Sequence, residues 1–313
     1  MEKRNLGNSG LVVSLVGLGC NNFGQFIDLE ASRKVIDKAI ELGITLFDTA
    51  DLYGNRGGSE TMMGQILGDR RKDIIVATKF GMAMDEAETL KGASRRYIFS
   101  ALEASLRRLK TDWIDLYQLH QADPLTPMEE TLRALDDLIK QGKVRYIGIS
   151  NHPAWKVVDA EWISRQHNLN HFISCQDEYS LLARAPEKEL IPAMKKFGLG
   201  LLPYFPLASG MLTGKHKRGK LSQGTRLETA RFAHRFTTDK NFAIVEKLAD
   251  FCKKRGHTLL ELAFSWLAAN PVNSSIIAGA TKPEQLEQNV KAVVWKLTPE
   301  DLSEIDALTA RAC

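Results

Sequence analysis

An aspartate and a tyrosine five positions apart, Asp48 and Tyr53 in FDTADLYG, close one short apolar run of this chain. Lys79 closes a second, IIVATKFG, and His120 a third, IDLYQLH. Ser150 and Asn151, then Gln176, then Tyr204 close three more. Singly, each is an ordinary strand exit, because strand ends meet water. Asp48 alone reads as a turn or helix cap, His120 as a hydrogen-bonded structural histidine, and Lys79 as an exposed lysine. Jointly they say more. If the runs are strands that converge on one mouth, Lys79 is buried near Asp48, and a buried lysine is costly unless it is paired.

Such a set has a definite chemistry. A phenol titrates near pH 10, and a neighbouring ammonium favours its anion. An aspartate paired with that ammonium keeps it charged and in place. A tyrosine tuned in this way can give and take a proton near neutral pH. A histidine beside it can donate a hydrogen bond to a carbonyl oxygen. The set suits proton transfer to a carbonyl whose carbon receives hydride, and the hydride has to come from a cofactor. Asn151 and Gln176 are side-chain amides suited to a carboxamide such as that of nicotinamide, and Tyr204 is suited to stacking on its ring. GATKPEQLEQN, residues 279–289, opens a helix just after the last apolar run, and Lys282 and Arg226 can add charge for a phosphate there.

The elements that must position these residues alternate regularly. RNLGNSGLVVSLVGLG reads as a hairpin turning at Gly-Asn-Ser-Gly. Apolar runs follow at Leu15–Gly19, Leu46–Asp48, Ile74–Lys79, Ile114–Leu119, Val144–Ile149, Phe172–Gln176, Leu201–Tyr204 and Ser275–Ala278. Helical segments separate them. ASRKVIDKAIELG places Val35, Ile36, Ala39 and Ile40 on one face, and YIFSALEASLRRL does the same with Ile98, Leu102, Leu106 and Leu109. TPMEETLRALDDLIKQG opens with a Thr126–Glu129 capping box and Pro127 in the first helical position. Continuous apolar strands alternating with helices imply a parallel sheet buried on both faces. The expected fold is α/β, a closed (β/α)8 TIM barrel with an N-terminal β-hairpin and extra C-terminal helices, in a single domain over residues 1–313. A doubly wound open sheet is the main rival, but the glycines of GLGCNNFG do not have dinucleotide-fingerprint spacing, and GMLTGKH is not a phosphate-binding loop of the Walker kind. In a barrel, the strand ends named above share one mouth.

Composition excludes several classes. The 313 residues are 44% hydrophobic and carry a net charge of +4 without a basic block, which fits a globular chain that does not bind nucleic acid. KHKRGK, residues 215–220, reads as a solvated loop or a phosphate-attracting one. Cys20, Cys175, Cys252 and Cys313 form no CxxC, and His167 and His171 sit in what reads as a loop without an acid or thiol close in sequence, so no metal site is expected. The thiols and the lack of a leader-like segment point to the cytoplasm, and no stretch reaches membrane-spanning length.

GITLFDTADLYGNRGGSE, IIVATKFG, YQLHQADP, VRYIGISN, YFPLASGMLTGK and GATKPEQLEQN, in this order, closely resemble the signature stretches of the aldo-keto reductase family, and the resemblance runs over nearly the whole chain. It implies NADP(H) as cofactor and a catalytic tetrad on Asp48, Tyr53, Lys79 and His120, with Tyr53 as proton donor. It places carboxamide contacts on Ser150, Asn151 and Gln176 and the stacking aromatic on Tyr204. Phe205, Leu207, Ser209, Gly210 and Lys215 fall where the family wraps the pyrophosphate. Arg226, Gly279, Thr281, Lys282, Gln285, Gln288 and Asn289 fall at the adenosine end, and Cys20 and Asn21 near the nicotinamide. Gln288 stands where many relatives have glutamate, and SIIAGA lacks a proline common before its glycine; both bear on cofactor affinity. The expected activity is reversible NADPH-dependent reduction of aldehydes or ketones. Alternatives are an NADPH-binding regulatory subunit with slow turnover, like the potassium-channel β subunits of the same family, and a Schiff-base lyase or aldolase using Lys79. The expected partner is a small carbonyl compound, with Phe23, Phe26, Phe80 and Met82 as candidate lining of the mouth. Asp51 is expected to be a solvated turn residue.

Overall fold

The computed structural model describes residues 1–222, 224–229 (backbone only at 226 and 229) and 233–310. Strands β1 (Lys3–Asn5) and β2 (Val12–Ser14) form the antiparallel hairpin, with Lys3 opposite Ser14. Eight parallel strands then close on themselves: β3 (Val16–Gly19), β4 (Leu46–Asp48), β5 (Ile75–Phe80), β6 (Ile114–Leu119), β7 (Val144–Ser150), β8 (Ser174–Glu178), β9 (Gly200–Tyr204) and β10 (Ile276–Gly279), the last pairing with β3. Helices α1 (Leu29–Glu41), α2 (Tyr53–Leu67), α3 (Arg95–Leu109), α4 (Met128–Lys140), α5 (Ala154–His167) and α6 (Leu190–Phe197) follow β3 to β8 in turn. Between β9 and β10 lie α7 (Arg226–Thr229), α8 (Asp239–Arg255) and α9 (Leu259–Ala269), and after β10 come α10 (Pro283–Lys291) and α11 (Pro299–Thr309). The expected (β/α)8 barrel, hairpin and additional helices are all present.

Strand periodicity sorts the side chains into an inner and an outer layer, because successive residues point to opposite faces. Leu46, Ala77, Leu116, Leu202 and Ile277 point inward and pack with Leu6 and Val13 of the hairpin, which plugs the N-terminal end of the barrel. Two residues further along four of these strands, the same parity delivers Asp48, Lys79, Gln118 and Tyr204 to the opposite end. Strand β3 turns glycines inward, and a Cβ on Gly17 would press on Ile277 and Ser275. The outward residues, among them Phe47, Val76, Phe80, Tyr117, Ile147 and Leu201, form the main core against the helices.

Local signals explain most helix ends. Asp28, Ser94 and Thr238 each accept a backbone N–H at the start of α1, α3 and α8. Thr298 forms a capping box with Asp301 and is followed by Pro299. The expected box at α4 is absent: Pro127 stands outside the helix in an extended conformation, and Thr126 donates instead to Asp123 Oδ2 at 2.7 Å. Asp123 also accepts the Ala93 and Leu125 backbone N–H groups, so the segment before α4 is organised around its carboxylate. His167 closes α5 rather than lying in a loop, and it faces Glu129 of α4, while His171 faces Glu161. No helix among the described residues is long and apolar enough to cross a membrane.

Helices α2 and α3 touch backbone to backbone at Gly64, where a Cβ would collide with the Arg108 carbonyl oxygen and the Leu109 backbone. Gly64→Ala should therefore force the two helices apart and lower stability by about 1–3 kcal/mol, read as a lower urea midpoint at unchanged slope. An unchanged midpoint would show that this approach is looser than described.

Candidate active site

Lys79 is the centre of the barrel mouth. Its side chain is fully buried, and its ammonium carries three N–H donors. They face Asp48 Oδ2 at 2.7 Å, the Thr49 carbonyl oxygen at 2.8 Å and the Tyr53 hydroxyl at 3.5 Å. Burial acts to lower the lysine's pKa, but Asp48 and the Tyr53 oxygen together outweigh it, and the net direction is upward. Asp48 is saturated in turn: its Oδ1 accepts from Gln176 Nε2 at 2.8 Å and Gln118 Nε2 at 3.2 Å. Charge, counter-charge and amide donors thus form one network inside the strands, as a buried ion pair requires.

Tyr53 and His120 border this network. Their rings meet edge to face with centroids 5.8 Å apart. Lys79 Nζ lies 4.9 Å from the Tyr53 ring centre. His120 follows β6, and its backbone is fixed by Phe80, which accepts its N–H, and by Asn151, whose amide donates to its carbonyl oxygen at 3.0 Å. Burial first, then the Lys79 charge, pushes the His120 imidazole down to about pKa 3, so the ring is neutral near pH 7. Its Nδ1 has no hydrogen-bond partner among the described residues. The Tyr53 turn is unusual: residues Gly54, Asn55, Arg56 and Gly57 have φ of 68°, 58°, 66° and 113°, a left-handed excursion before regular helix resumes. Two of these are not glycine, and such conformations cluster at functional sites because surrounding contacts must hold them.

Of the other residues singled out in the sequence, Ser150, Asn151, Gln176 and Tyr204 join the same network. Asn151 donates to Ser150 Oγ at 3.0 Å and accepts from the Tyr204 hydroxyl at 2.7 Å. Gln176 is committed through its amide nitrogen to Asp48. Beyond β9, Phe205, Ala208, Ser209 and Gly210 all adopt positive φ, and the buried Ser209 hydroxyl has no partner among the described residues. Lys215 is exposed nearby in sequence, and within the basic run Arg218 pairs with Asp239 and Glu246. At the other flank Gly279 abuts Asn21 and Asn22. Gln285 accepts from the Thr281 and Lys282 backbone N–H groups at 2.7 and 3.2 Å, so its amide oxygen caps α10. Asn289 is buried, while Gln288 and Lys282 are exposed. The Arg226 side chain and Cys313 lie outside the described residues. Cys20 is a buried thiol pushed well above its usual pKa, first by burial and then by Asp48. Cys175 and Cys252 are likewise buried and unpaired.

Two expectations are overturned. Phe23 and Phe80 do not line the mouth: both are fully buried in the core, Phe80 stacked on Tyr117 with centroids 4.6 Å apart. Phe80 has outward parity on β5, which turns it towards the helices. Phe26 is exposed and Met82 partly so, and the exposed Leu90 and Leu125 add apolar surface on the loops after β5 and β6. Asp51 is not solvated: it is 1% exposed, and neither carboxyl oxygen has a hydrogen-bond partner among the described residues. Burial, then the nearby Glu60 charge, pushes its pKa up to about 8. Sequence reasoning also passed over Gln118, although an amide inside the apolar run IDLYQL, at the parity of Leu116, was a signal of an inward polar contact.

Removing the Lys79 cation leaves Asp48 charged and buried. Lys79→Met should cost about 3–5 kcal/mol of stability, and adding Asp48→Asn should restore part of it, a non-additivity measurable by denaturant unfolding. Asp51 makes the opposite kind of prediction. From about pH 4, where an unfolded aspartate titrates, to about pH 8, the native acid holds a proton that the unfolded chain releases. Its contribution therefore makes the fold less stable as pH rises through that window. The stability of Asp51→Asn relative to the parent protein should rise over the same range in pH-dependent unfolding; a constant difference would mean that Asp51 titrates normally.

Comparison with known proteins agrees with the geometry. The sequence profile of the aldo/keto reductase family matches residues 15–310. A protein named probable voltage-gated potassium channel subunit beta from Oryza sativa is 36% identical over 318 residues, covering 98% of this chain and 96% of its own length. An uncharacterized oxidoreductase, YrpG, from Bacillus subtilis is 38% identical over 312 residues, covering 96% and 94%. An L-glyceraldehyde 3-phosphate reductase from Escherichia coli is 33% identical over 319 residues, covering 98% and 92%. Family membership supports oxidoreductase activity on carbonyl compounds, and members generally use NAD(P)H. With a closed barrel, a buried lysine-aspartate pair at its mouth and these matches along almost its whole length, the chain belongs to the aldo/keto reductase family.

Proposed function

We propose that this protein reversibly reduces aldehydes or ketones to alcohols, with hydride from NADPH and the proton from Tyr53. The observation that carries this is the position of the Lys79 ammonium, fully buried, held by Asp48 and 3.5 Å from the Tyr53 hydroxyl. A cation at that distance stabilises the phenolate more than the phenol, so it brings the phenol's proton affinity towards neutrality. His120, neutral at pH 7, is a poor source of a proton and a suitable hydrogen-bond donor to a substrate oxygen. The proton role then falls to Tyr53, and the two residues together polarise the carbonyl. In the reverse direction Tyr53 accepts the alcohol proton. The upward shift of Lys79 works against the Schiff-base alternative, which needs a neutral amine.

When bound, NADPH supplies the hydride. The residues present fit it. Ser150, Asn151 and Gln176 are amide and hydroxyl groups suited to its carboxamide, and Tyr204 to its ring. The left-handed turn at 205–210, with the orphaned Ser209 hydroxyl and Lys215 following, suits a pyrophosphate. Asn21 and Cys20 lie on the nicotinamide side, and Gly279, Thr281, Lys282, Gln285, Gln288 and Asn289 on the adenosine side.

The test is consumption of NADPH and NADH against sugar, aromatic and short-chain aldehydes. Tyr53→Phe should lower turnover by about 10²–10⁴-fold while NADPH still binds. Near-normal turnover in that variant would refute the assignment. Lys79→Met should raise the pH needed for alcohol oxidation; an unchanged profile would remove the tuning role. The relatives named as channel subunits support a second reading, a slowly cycling NADPH-binding subunit, and multiple turnovers in the aldehyde panel would count against it.

A further inference from the structure

The exit from β4 carries a second acid for which the proposed reaction has no use. Asp51 lies on the outer side of the barrel wall among ionisable groups from every element packed on it: Glu60 of α2, Lys79 of β5, Tyr97 and Arg108 of α3, and Tyr117 of β6. The cations beside it are already engaged, and the one buried donor there without a partner among the described residues, the Tyr117 hydroxyl, is uncharged. Glu60, also fully buried, accepts from Thr78 Oγ1 at 2.5 Å and from Arg108 Nε at 2.7 Å. All three donors of Lys79 face Asp48, Thr49 and Tyr53. One guanidinium therefore matches one carboxylate, and a second carboxylate has no counter-ion. Burial and Glu60 raise the Asp51 pKa to about 8 against the smaller pull of the Arg108 and Lys79 charges. At neutral pH the group is an uncharged acid.

The same residue is a rung between the elements that bear the catalytic pair. The Asp51 N–H donates to the Lys79 carbonyl oxygen at 3.1 Å, and the Tyr53 N–H donates to the Ala50 carbonyl oxygen at 3.1 Å. Immediately beyond Tyr53 the chain is left-handed through residues 54–57. Backbone of that kind persists only where its flanks hold it. A charge formed at Asp51 favours contact with water, and the segment that carries this carboxyl is the turn that leads into Tyr53.

We propose that Asp51 is a positioning residue for Tyr53 that holds the turn only while its carboxyl carries a proton, so that the chain contains a switch withdrawing Tyr53 on the alkaline side. It rests on the proposed role of Tyr53. Its effect opposes the gain in alcohol oxidation that phenolate formation otherwise gives as pH rises.

Two readouts test it, one independent of turnover. Protein labelled with 15N-tyrosine gives signals from six tyrosines, and Tyr53 is identified by its absence from Tyr53→Phe. In the parent chain the Tyr53 amide should move with a midpoint near pH 8; in Asp51→Asn that transition should vanish, and in Glu60→Gln, which removes the neighbouring like charge, it should fall to lower pH. On the alcohol product of the best aldehyde, the ratio of Asp51→Asn to parent oxidation rate should rise about tenfold between pH 7 and pH 9, as loss of one proton with that midpoint requires. The same amide transition in the parent chain and Asp51→Asn, or a rate ratio flat with pH, overturns the switch. If the parent chain turns over no aldehyde at all, the functional reading fails, and the amide transition alone decides the role of Asp51.

Discussion

A fully buried ammonium is the constraint on which the rest of this structure depends. Lys79 sits where water cannot solvate it, so every N–H must find an acceptor within the protein. Asp48, the Thr49 carbonyl and Tyr53 provide them. Asp48 must then be kept charged and in place, which the amides of Gln118 and Gln176 do from two other strands. Four strands are thereby tied at the barrel mouth by polar contacts rather than by packing. The chemical value of the arrangement is that a cation held for structural reasons stands beside a phenol.

The barrel separates this polar end from an apolar one by a simple device. Inward positions two residues apart change from Leu46 to Asp48, from Ala77 to Lys79 and from Leu116 to Gln118, while hairpin residues Leu6 and Val13 seal the far end. Outward positions face the helices and are mostly apolar; among the polar departures is the Thr78–Glu60–Arg108 group with the adjacent Asp51 and Tyr117. Two ionic clusters thus flank one strand wall. The inner one is closed in charge, with Lys79 matched by Asp48. The outer one has an acid too many, which marks it as the responsive partner.

Much of this was legible in the sequence, for physical reasons that differ by residue. Asp48, Lys79 and His120 stand at the ends of apolar runs, and strand ends of a parallel barrel must share a face, so their convergence followed from the pattern. Gln118 was hidden because one amide within an apolar run looks like noise until the neighbouring strand is known to carry Lys79. Asp51 was misread because a polar residue after a strand normally meets water; here α2 and α3 close over it, and that packing depends on Gly64, a contact between segments more than forty residues apart. The Thr126 cap failed for a similar reason, since Asp123 competes locally for its hydroxyl. Phe80 follows Lys79 directly, and side-chain alternation sends it the other way, into the core.

The central claim is that Lys79 tunes Tyr53, and the most direct measurement is the ionisation of Tyr53 itself, followed by NMR of 13Cζ-labelled tyrosine over a pH titration. The expected result is one resonance, absent from Tyr53→Phe, that titrates well below the ordinary tyrosine value of about 10 and returns towards or above it in Lys79→Met. A Tyr53 signal that titrates at or above about 10 in the unmodified protein, or one indifferent to the loss of Lys79, would contradict the account.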